Sequence, residues 1–227
     1  MSFNIAIDGP AGAGKSTIAK ALAKKMNLIY VDTGAMYRAM ALYLLRENIM
    51  PEDTQAVGRQ CEMADITIRY EEGVQVVYLN GENVNALLRT EEVGNMASRT
   101  STQPAVRKKL VELQQKLAKD ADCVMDGRDI GTVVLPEADV KIYMTASSLV
   151  RAKRRYDELL AKGESCDLEK IKADIEERDY RDMHREHSPL KQAEDAVLLD
   201  TSEMTIEQVV EEMSRICKEK KAVREAQ

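Results

Sequence analysis

Histidine is nearly missing from this chain of 227 residues: there are two, His184 and His187. Their i, i+3 spacing would suit a metal, but no cysteine or carboxylate set with zinc spacing accompanies them, so they read as an exposed helix end. Any catalysis here therefore does not lean on a histidine base. The four cysteines, Cys61, Cys123, Cys166 and Cys217, lie far apart with no C-x-x-C pair. They read as reduced thiols of a cytoplasmic protein, with Cys123 filling core. No apolar run approaches the ~20 residues that span a bilayer, and the N-terminus reads as a strand rather than a signal peptide. Basic excess is also missing: 33 Lys and Arg stand against 39 Asp and Glu, a net of −6. That balance disfavours nucleic acid or a membrane surface as the main partner. Internal repeats and low-complexity linkers are missing too, which leaves one core with small inserts.

What is present begins with Gly9-Pro10-Ala11-Gly12-Ala13-Gly14-Lys15-Ser16, a match to G-x-x-x-x-G-K-[ST]. Phe3–Asp8 before it reads as a buried strand, and Thr17–Met26 after it as a helix. Strand, glycine loop and helix in that order form a phosphate cradle. Backbone N–H groups point inward and the helix N-terminus adds partial positive charge. Lys15 can reach the β- and γ-phosphates, and the Ser16 hydroxyl can ligate Mg²⁺. The ATP-binding set expected is Gly9, Pro10, Ala11, Gly12, Ala13, Gly14, Lys15, Ser16 and Thr17. Phosphoryl transfer works mainly by positioning and charge stabilisation, so it has no need of the scarce histidines.

Further strands are predicted at Leu28–Asp32, Cys123–Asp126, Val140–Met144 and Ala196–Asp200. Such near-continuous apolar runs suit parallel strands covered on both faces. Helices fall between them, near 35–47, 104–119, 147–162, 167–185 and 205–220, the last opening on a capping box at Thr205–Gln208. The pattern predicts a doubly wound five-stranded parallel α/β sheet, with ligands at the carboxyl ends of its strands. Residues 65–85 break the rhythm by alternating apolar and polar, with Asn80-Gly81 as a hairpin turn, and predict a small antiparallel insert. A second lobe, 147–186, is charged and helical without a strand. The charged tail Lys218–Gln227 is expected to fray.

Arg151, Arg154 and Arg155 share one helix face, and Arg178, Arg181, Asp182 and Arg185 share a face of the next. Two such faces could close over a triphosphate, because the guanidinium fork grips phosphate oxygens in bidentate fashion. The same helices hold many acidic residues at i, i+4, so solvated salt bridges are the competing account. At strand ends, Asp32-Thr33-Gly34-Ala35-Met36-Tyr37-Arg38 offers a hydroxyl and an arginine. Asp126-Gly127-Arg128-Asp129-Ile130-Gly131-Thr132 offers an arginine and an acceptor. Capped turns with surface ion pairs would produce the same letters.

Together with Asn95–Ser98, Pro104–Arg107 and Glu177–Arg185, these motifs resemble the bacterial cytidylate kinases over essentially the whole chain. The resemblance implies Mg²⁺-dependent transfer of the γ-phosphate of ATP to CMP or dCMP. It assigns Thr33, Arg38, Arg128 and Arg185 to the CMP phosphate side, Ser98, Arg107 and Asp129 to the base, and Arg181 and Asp182 near the sugar. Arg154 and Arg155 fall in a lid and join Lys15 and Arg128 as catalytic groups. Thr33 stands where some members carry Ser, and either supplies a hydroxyl. The resemblance divides the chain into a core (1–35, 102–146 and 187–227), a monophosphate-binding region with the antiparallel insert (36–101) and a lid (147–186); because lid and insert must both move, a monomer is expected. Cytosine suits such a base site. Its N4 donor can meet acceptors on Asp129 and Ser98 while Arg107 serves N3 and O2, and sites built this way discriminate by roughly 10⁴-fold.

Two other readings stay open on the letters alone. A nucleotide switch would carry N-K-x-D, and an ABC-type ATPase its own signature; neither occurs. A kinase for another small acceptor would share the loop and differ in the base site.

Overall fold

The computed structural model describes residues 2–225. Asn4–Asp8 (β1), Ile29–Asp32 (β2), Cys123–Gly127 (β6), Val140–Thr145 (β7) and Val197–Asp200 (β8) form one sheet in the order β2-β6-β1-β7-β8. Every pairing in it is parallel. Strand periodicity divides the core in two. Ile5 and Ile7 of β1 and Val124 of β6 face Lys15–Met26 (α1) and Ile206–Glu225 (α8). Ala6, Cys123 and Met125 face Thr33–Arg46 (α2) and Pro104–Asp120 (α5). The five predicted strands and the two covered faces are as the sequence led one to expect, and all four cysteines are free, Cys123 being buried.

The antiparallel insert is present as Ile66–Glu71 (β3), Val74–Leu79 (β4) and the two-residue Glu82–Asn83 (β5). Asn80 and Gly81 both take positive φ, 50° and 82°, as the expected tight turn requires. A second such turn, at Glu72-Gly73, was not foreseen: Glu72 takes the left-handed conformation at 52° without an Asn or Asp to announce it. The insert is fastened to the main sheet. Gln75 accepts the Asp32 N–H at 2.9 Å, and the Tyr70 hydroxyl donates to the Tyr30 carbonyl at 3.1 Å. Its Ile66, Val77 and Leu79 are buried in the same cluster as α2 and α5.

Two helices went unread in the sequence, Thr54–Met63 (α3) and Glu91–Thr100 (α4). Each is short, polar on one face and carries a glycine (Gly58, Gly94). What closes them is a side-chain cap, Asp53 onto Ala56 N and Thr90 onto Val93 N. The second lobe is Ser148–Ala161 (α6) and Leu168–His184 (α7), which stand over the carboxyl edge of the sheet. At the far end the expected capping box forms: Thr205 N–H donates to Gln208 Oε1 at 2.9 Å and Gln208 N–H to Thr205 Oγ1 at 3.3 Å. α8 then runs on as helix through the tail expected to fray; residues 226 and 227 lie outside the described residues. Arg224 holds it down by donating to the Asp139 carboxylate.

β1 ends in a buried carboxylate. Asp8 accepts the N–H groups of Ile130 at 2.8 Å and Gly131 at 2.7 Å, and so pins a single π-helical turn, Ile130–Val134, behind the edge of the sheet. Burial pushes the Asp8 carboxyl up to about 6, with nearby Asp129 adding to the rise and the two amides opposing it. Between the ordinary aspartate range and about 6, the folded chain keeps a proton that the unfolded chain has lost. Stability therefore falls as pH rises through that window, and above it the effect levels off. Relative to an Asp8→Asn variant, the parent should lose about 2–3 kcal/mol of unfolding free energy between pH 4 and pH 7, read from urea titrations at each pH. In the same assay Ile7→Ala, in the fully buried central strand, should cost about 3 kcal/mol. Leu198→Ala, 57% exposed on the edge strand, should cost below about 1 kcal/mol.

Candidate active site

Three adjacent strands, β2, β6 and β1, deliver aspartates to one edge, and the loop of residues 9–14 leaves β1 beside them. Gly9 (φ 152°) cannot carry a side chain because a Cβ would collide with the Met144 carbonyl oxygen of β7. Gly12 and Gly14 take φ of 72° and 87°, the left-handed region that lets the loop turn back on itself. The result is a cavity of about 850 Å³ open along the carboxyl edge of the sheet. It is lined by Ala11–Ile18 at one end and by Tyr37, Arg38, Ser98, Arg107, Arg128 and Asp129 at the other.

Gly9 and Pro10 stand behind the cavity wall rather than in it. Their carbonyls accept the buried Lys15 ammonium at 2.7 and 2.8 Å, so the lysine folds back on its own loop. Burial, and then the Arg128 guanidinium, hold Lys15 well below the ordinary lysine range. The Ser16 hydroxyl donates to Asp126 Oδ2 at 2.8 Å, and Tyr30 donates to Oδ1 of the same carboxylate at 2.8 Å. Burial, and then neighbouring Asp32, push Asp126 up. The Ser16 hydroxyl on the buried Asp126 carboxylate, with the partly exposed Asp32 carboxylate near it, is a hard oxygen donor set, which fits a magnesium ion. Asp32 also caps α2 by accepting Ala35 N–H at 2.9 Å, which starts that helix at Thr33 instead of the expected residue 35.

The other sequence-predicted residues converge on the far end, with exceptions. Thr33 is buried and its hydroxyl donates to the Asp126 carbonyl at 2.7 Å. Asp129 is buried between two arginines: it accepts from Arg107, and from Arg185 at 3.4 Å. Arg107 also donates to the Tyr37 hydroxyl at 3.3 Å. Arg128 donates to Asp182 at 2.8 Å. Burial alone would raise the Asp182 carboxyl, but Arg128, with Arg178 and Arg185 beyond, holds it below the ordinary range. Arg38 and Arg185 are both pulled down from the ordinary arginine range, first by burial.

Arg181 does not join them. It is half exposed and paired with Glu177 on the outer side of α7, away from the cavity. Its neighbour one turn earlier, Arg178, lines the cavity with a buried Nε that has no partner, and is lowered to about 10 by burial and by Arg128. Spacing placed both on one face and could not say which would look inward. Arg154 reaches the loop, donating to the Ala13 carbonyl at 3.4 Å and the Thr201 carbonyl at 2.7 Å. Arg155 stands at the mouth, paired with Glu158 at 2.9 Å. Arg151, grouped with them by spacing, is buried against Asp179 and Ala11, so it is not free to grip a triphosphate.

The sequence reading also missed Gln114, buried on α5 two turns beyond Arg107, with both amide atoms unpartnered at the cavity wall. Met204 in the turn before α8, and Ile206 at the start of α8, were missed as a wall as well. Neither had a signal in the letters beyond helix register. Among the described residues no group of three or more His, Cys, Asp or Glu is placed to hold a metal by itself, and no helix is long and apolar enough to cross a membrane.

Comparison with known proteins fits this geometry. A solved structure from Eubacterium ventriosum, an uncharacterised protein, superposes with a TM-score of 0.54 at 11% identity, over 96% of this chain and 99% of its own, which speaks to the fold alone. The cytidylate kinase of Listeria welshimeri is 49% identical over 217 residues, covering 95% of this chain and 96% of that protein. That of Carboxydothermus hydrogenoformans is 49% identical over 214 residues, covering 94% and 96%. That of Lactobacillus johnsonii is 48% identical over 218 residues, covering 96% and 95%. The family model described as cytidylate kinase matches residues 5–219, which takes in the phosphate loop, the insert, α6, α7 and every residue named around the cavity. A phosphate loop facing an arginine-lined pocket, within a match that spans the chain, belongs to one family: this protein is a member of the cytidylate kinases.

Proposed function

We propose that the cleft transfers the γ-phosphoryl group of ATP to CMP or dCMP, releasing ADP with CDP or dCDP. The observation that carries this reading is the continuity of the cavity from the loop amides to the buried Arg107–Asp129 pair. Two phosphorylated substrates can meet there end to end. ATP lies with its phosphates on Gly12–Thr17 and its base toward Met204 and Ile206. The monophosphate lies with its base against Ser98, Arg107 and Asp129 and its phosphate among Arg38, Arg128 and Arg185. Asp182 faces the sugar. Arg178 takes the role that the resemblance assigned to Arg181, since it is the residue turned inward.

The chemistry asks little beyond charge and alignment. The attacking CMP oxygen is already anionic, so no general base is needed, consistent with the absence of a histidine from the cleft lining. Lys15, held in the cleft and displaced from the Gly9 and Pro10 carbonyls when phosphate arrives, meets the transferring group from the loop side. Arg128, with Arg154 and Arg155 from the lid, meets it from the other. Ser16 and Asp126, with Asp32 near them, would hold Mg²⁺, and the ion would supply charge neutralisation to the phosphates there. Residues 36–101 serve as the monophosphate-binding region and 147–186 as a lid whose closure excludes water. The chain acts on small molecules, as a cytoplasmic monomer.

The deciding experiment is ADP release from ATP and Mg²⁺ with each nucleoside monophosphate in turn. High rates with CMP and dCMP, and low rates with UMP, AMP and GMP, are expected; a preference for another acceptor would overturn the base-site assignment. Asp129→Ala should erode CMP-over-UMP preference by about 1–3 kcal/mol, the range of one good base contact. Lys15→Ala should lower kcat on the order of 10²–10³-fold with the circular-dichroism spectrum unchanged; wild-type turnover would remove Lys15 from the mechanism.

A further inference from the structure

We propose that Arg151 and Asp179 are positioning residues for ATP: from the two lid helices they set the orientation of one loop peptide, and so aim the Gly12 N–H at the phosphates. The proposal rests on the reading that ATP uses this loop. Its basis is an alternation of contacts along residues 9–12. The Gly9 and Pro10 carbonyls turn toward the Lys15 ammonium. The next N–H, that of Ala11, points the other way and donates to Asp179 Oδ1 at 3.0 Å. The Ala11 carbonyl follows it outward and accepts from Arg151 at 2.7 Å. A trans peptide is planar with its C=O and N–H opposed. Once Arg151 holds the Ala11 oxygen on the outer side, the N–H of Gly12 in the same peptide must face the opposite, Lys15 side.

The clamp is closed on itself. Arg151 donates to Asp179 Oδ2 at 2.5 Å, and its Nε donates to the Ala146 carbonyl at 2.8 Å, just beyond β7. One guanidinium thus ties the exit of β7, the phosphate loop and α7. Both charged residues are buried, at 6% and 7% exposure, and so is Ala11. Gly12 packs beside them: a Cβ there would stand 3.4 Å from Arg151 Cβ and 3.5 Å from Ile175 Cδ1. A buried ion pair is a weak device for stability, because an apolar pair of similar volume is often as good or better. What an apolar pair cannot do is hold a carbonyl and an N–H of one residue at fixed angles. The clamp also joins the loop to the helices that carry Arg154, Arg155 and Arg178, so the lid has its fixed end on the ATP site.

The test is a pair of variants read by kinetics and by unfolding. Arg151→Met with Asp179→Leu removes the polar grip and keeps an apolar filling; Arg151→Lys keeps the charge and loses the fork. The double variant should retain the urea midpoint of the parent while kcat/KM for ATP falls by about 10²-fold, the scale of an ångström-sized misplacement, with the KM for CMP unchanged. Arg151→Lys should move ATP kinetics in the same direction by a smaller factor. Lys15→Ala is measured alongside. If Lys15→Ala loses activity while both clamp variants keep parental ATP kinetics, the clamp is structural only and the proposal falls. If Lys15→Ala keeps parental ATP kinetics, the loop reading falls with it. Should the double variant not fold, Arg151→Lys decides alone, and parental ATP kinetics in it overturns the proposal.

Discussion

The cleft gathers more positive charge than its own carboxylates balance, and the arrangement around it follows from that constraint. Lys15, Arg38, Arg128, Arg154, Arg155, Arg178 and Arg185 all line one cavity. Two like charges about 4 Å apart repel by about 4 kcal/mol even at an effective dielectric of 20. Burial first, and then neighbouring cations among Arg128, Arg107 and Arg89, pull Lys15, Arg38, Arg178 and Arg185 below their ordinary ranges. Each cation leans on what is near. Lys15 takes loop carbonyls, Arg128 takes Asp182, Arg185 and Arg107 share Asp129, and the Arg178 Nε is left without a partner. Cations and dipoles already in place before a reaction suit the stabilisation of developing negative charge, which is what the proposed phosphoryl transfer asks of them.

Such a concentration of charge can be held only by a rigid frame, and the parallel sheet supplies it through its strand ends. Asp8, Asp32 and Asp126 close three neighbouring strands, and each has a different task. Asp8 pins the π-helical turn after Asp129, which sets where the Asp129 carboxylate stands. Asp32 caps α2 and so presents Thr33 and Arg38. Asp126 holds the Ser16 hydroxyl and is itself held by Tyr30. The same residue type does three jobs because what differs is the company: two amides, a helix start, or two hydroxyls.

The parallel strands and their covering helices were legible because apolar runs and the loop motif are local signals that the tertiary fold had no reason to override. α3 and α4 were not, because their letters are polar and glycine-bearing and their stability comes from a cap and from packing on α2 and α5. The Glu72-Gly73 turn hid for a related reason: a left-handed Glu is set by the register of β3 on β4, not by its own preference. Among the arginines the letters told the spacing and nothing more. Arg151, Arg154 and Arg155 fit one face equally well, yet one is locked behind the loop, one bridges to Thr201 and one stands at the mouth.

What the sequence alone determined is the chemistry available: a phosphate cradle after a strand, arginines instead of histidines, and aspartates at strand ends. Those follow from contiguous residues, and backbone geometry over a few positions translates them directly into structure. What only the tertiary structure decided is the direction in which each polar group is spent. Arg178 faces the cleft and Arg181 does not; the Ala11 peptide is gripped by residues from α6 and α7; Gln114 is buried at the cavity wall. Each of these depends on which helix packs against which strand, over separations of many tens of residues, and a helical period of 3.6 fixes a side chain's angle around its own axis but not what lies opposite.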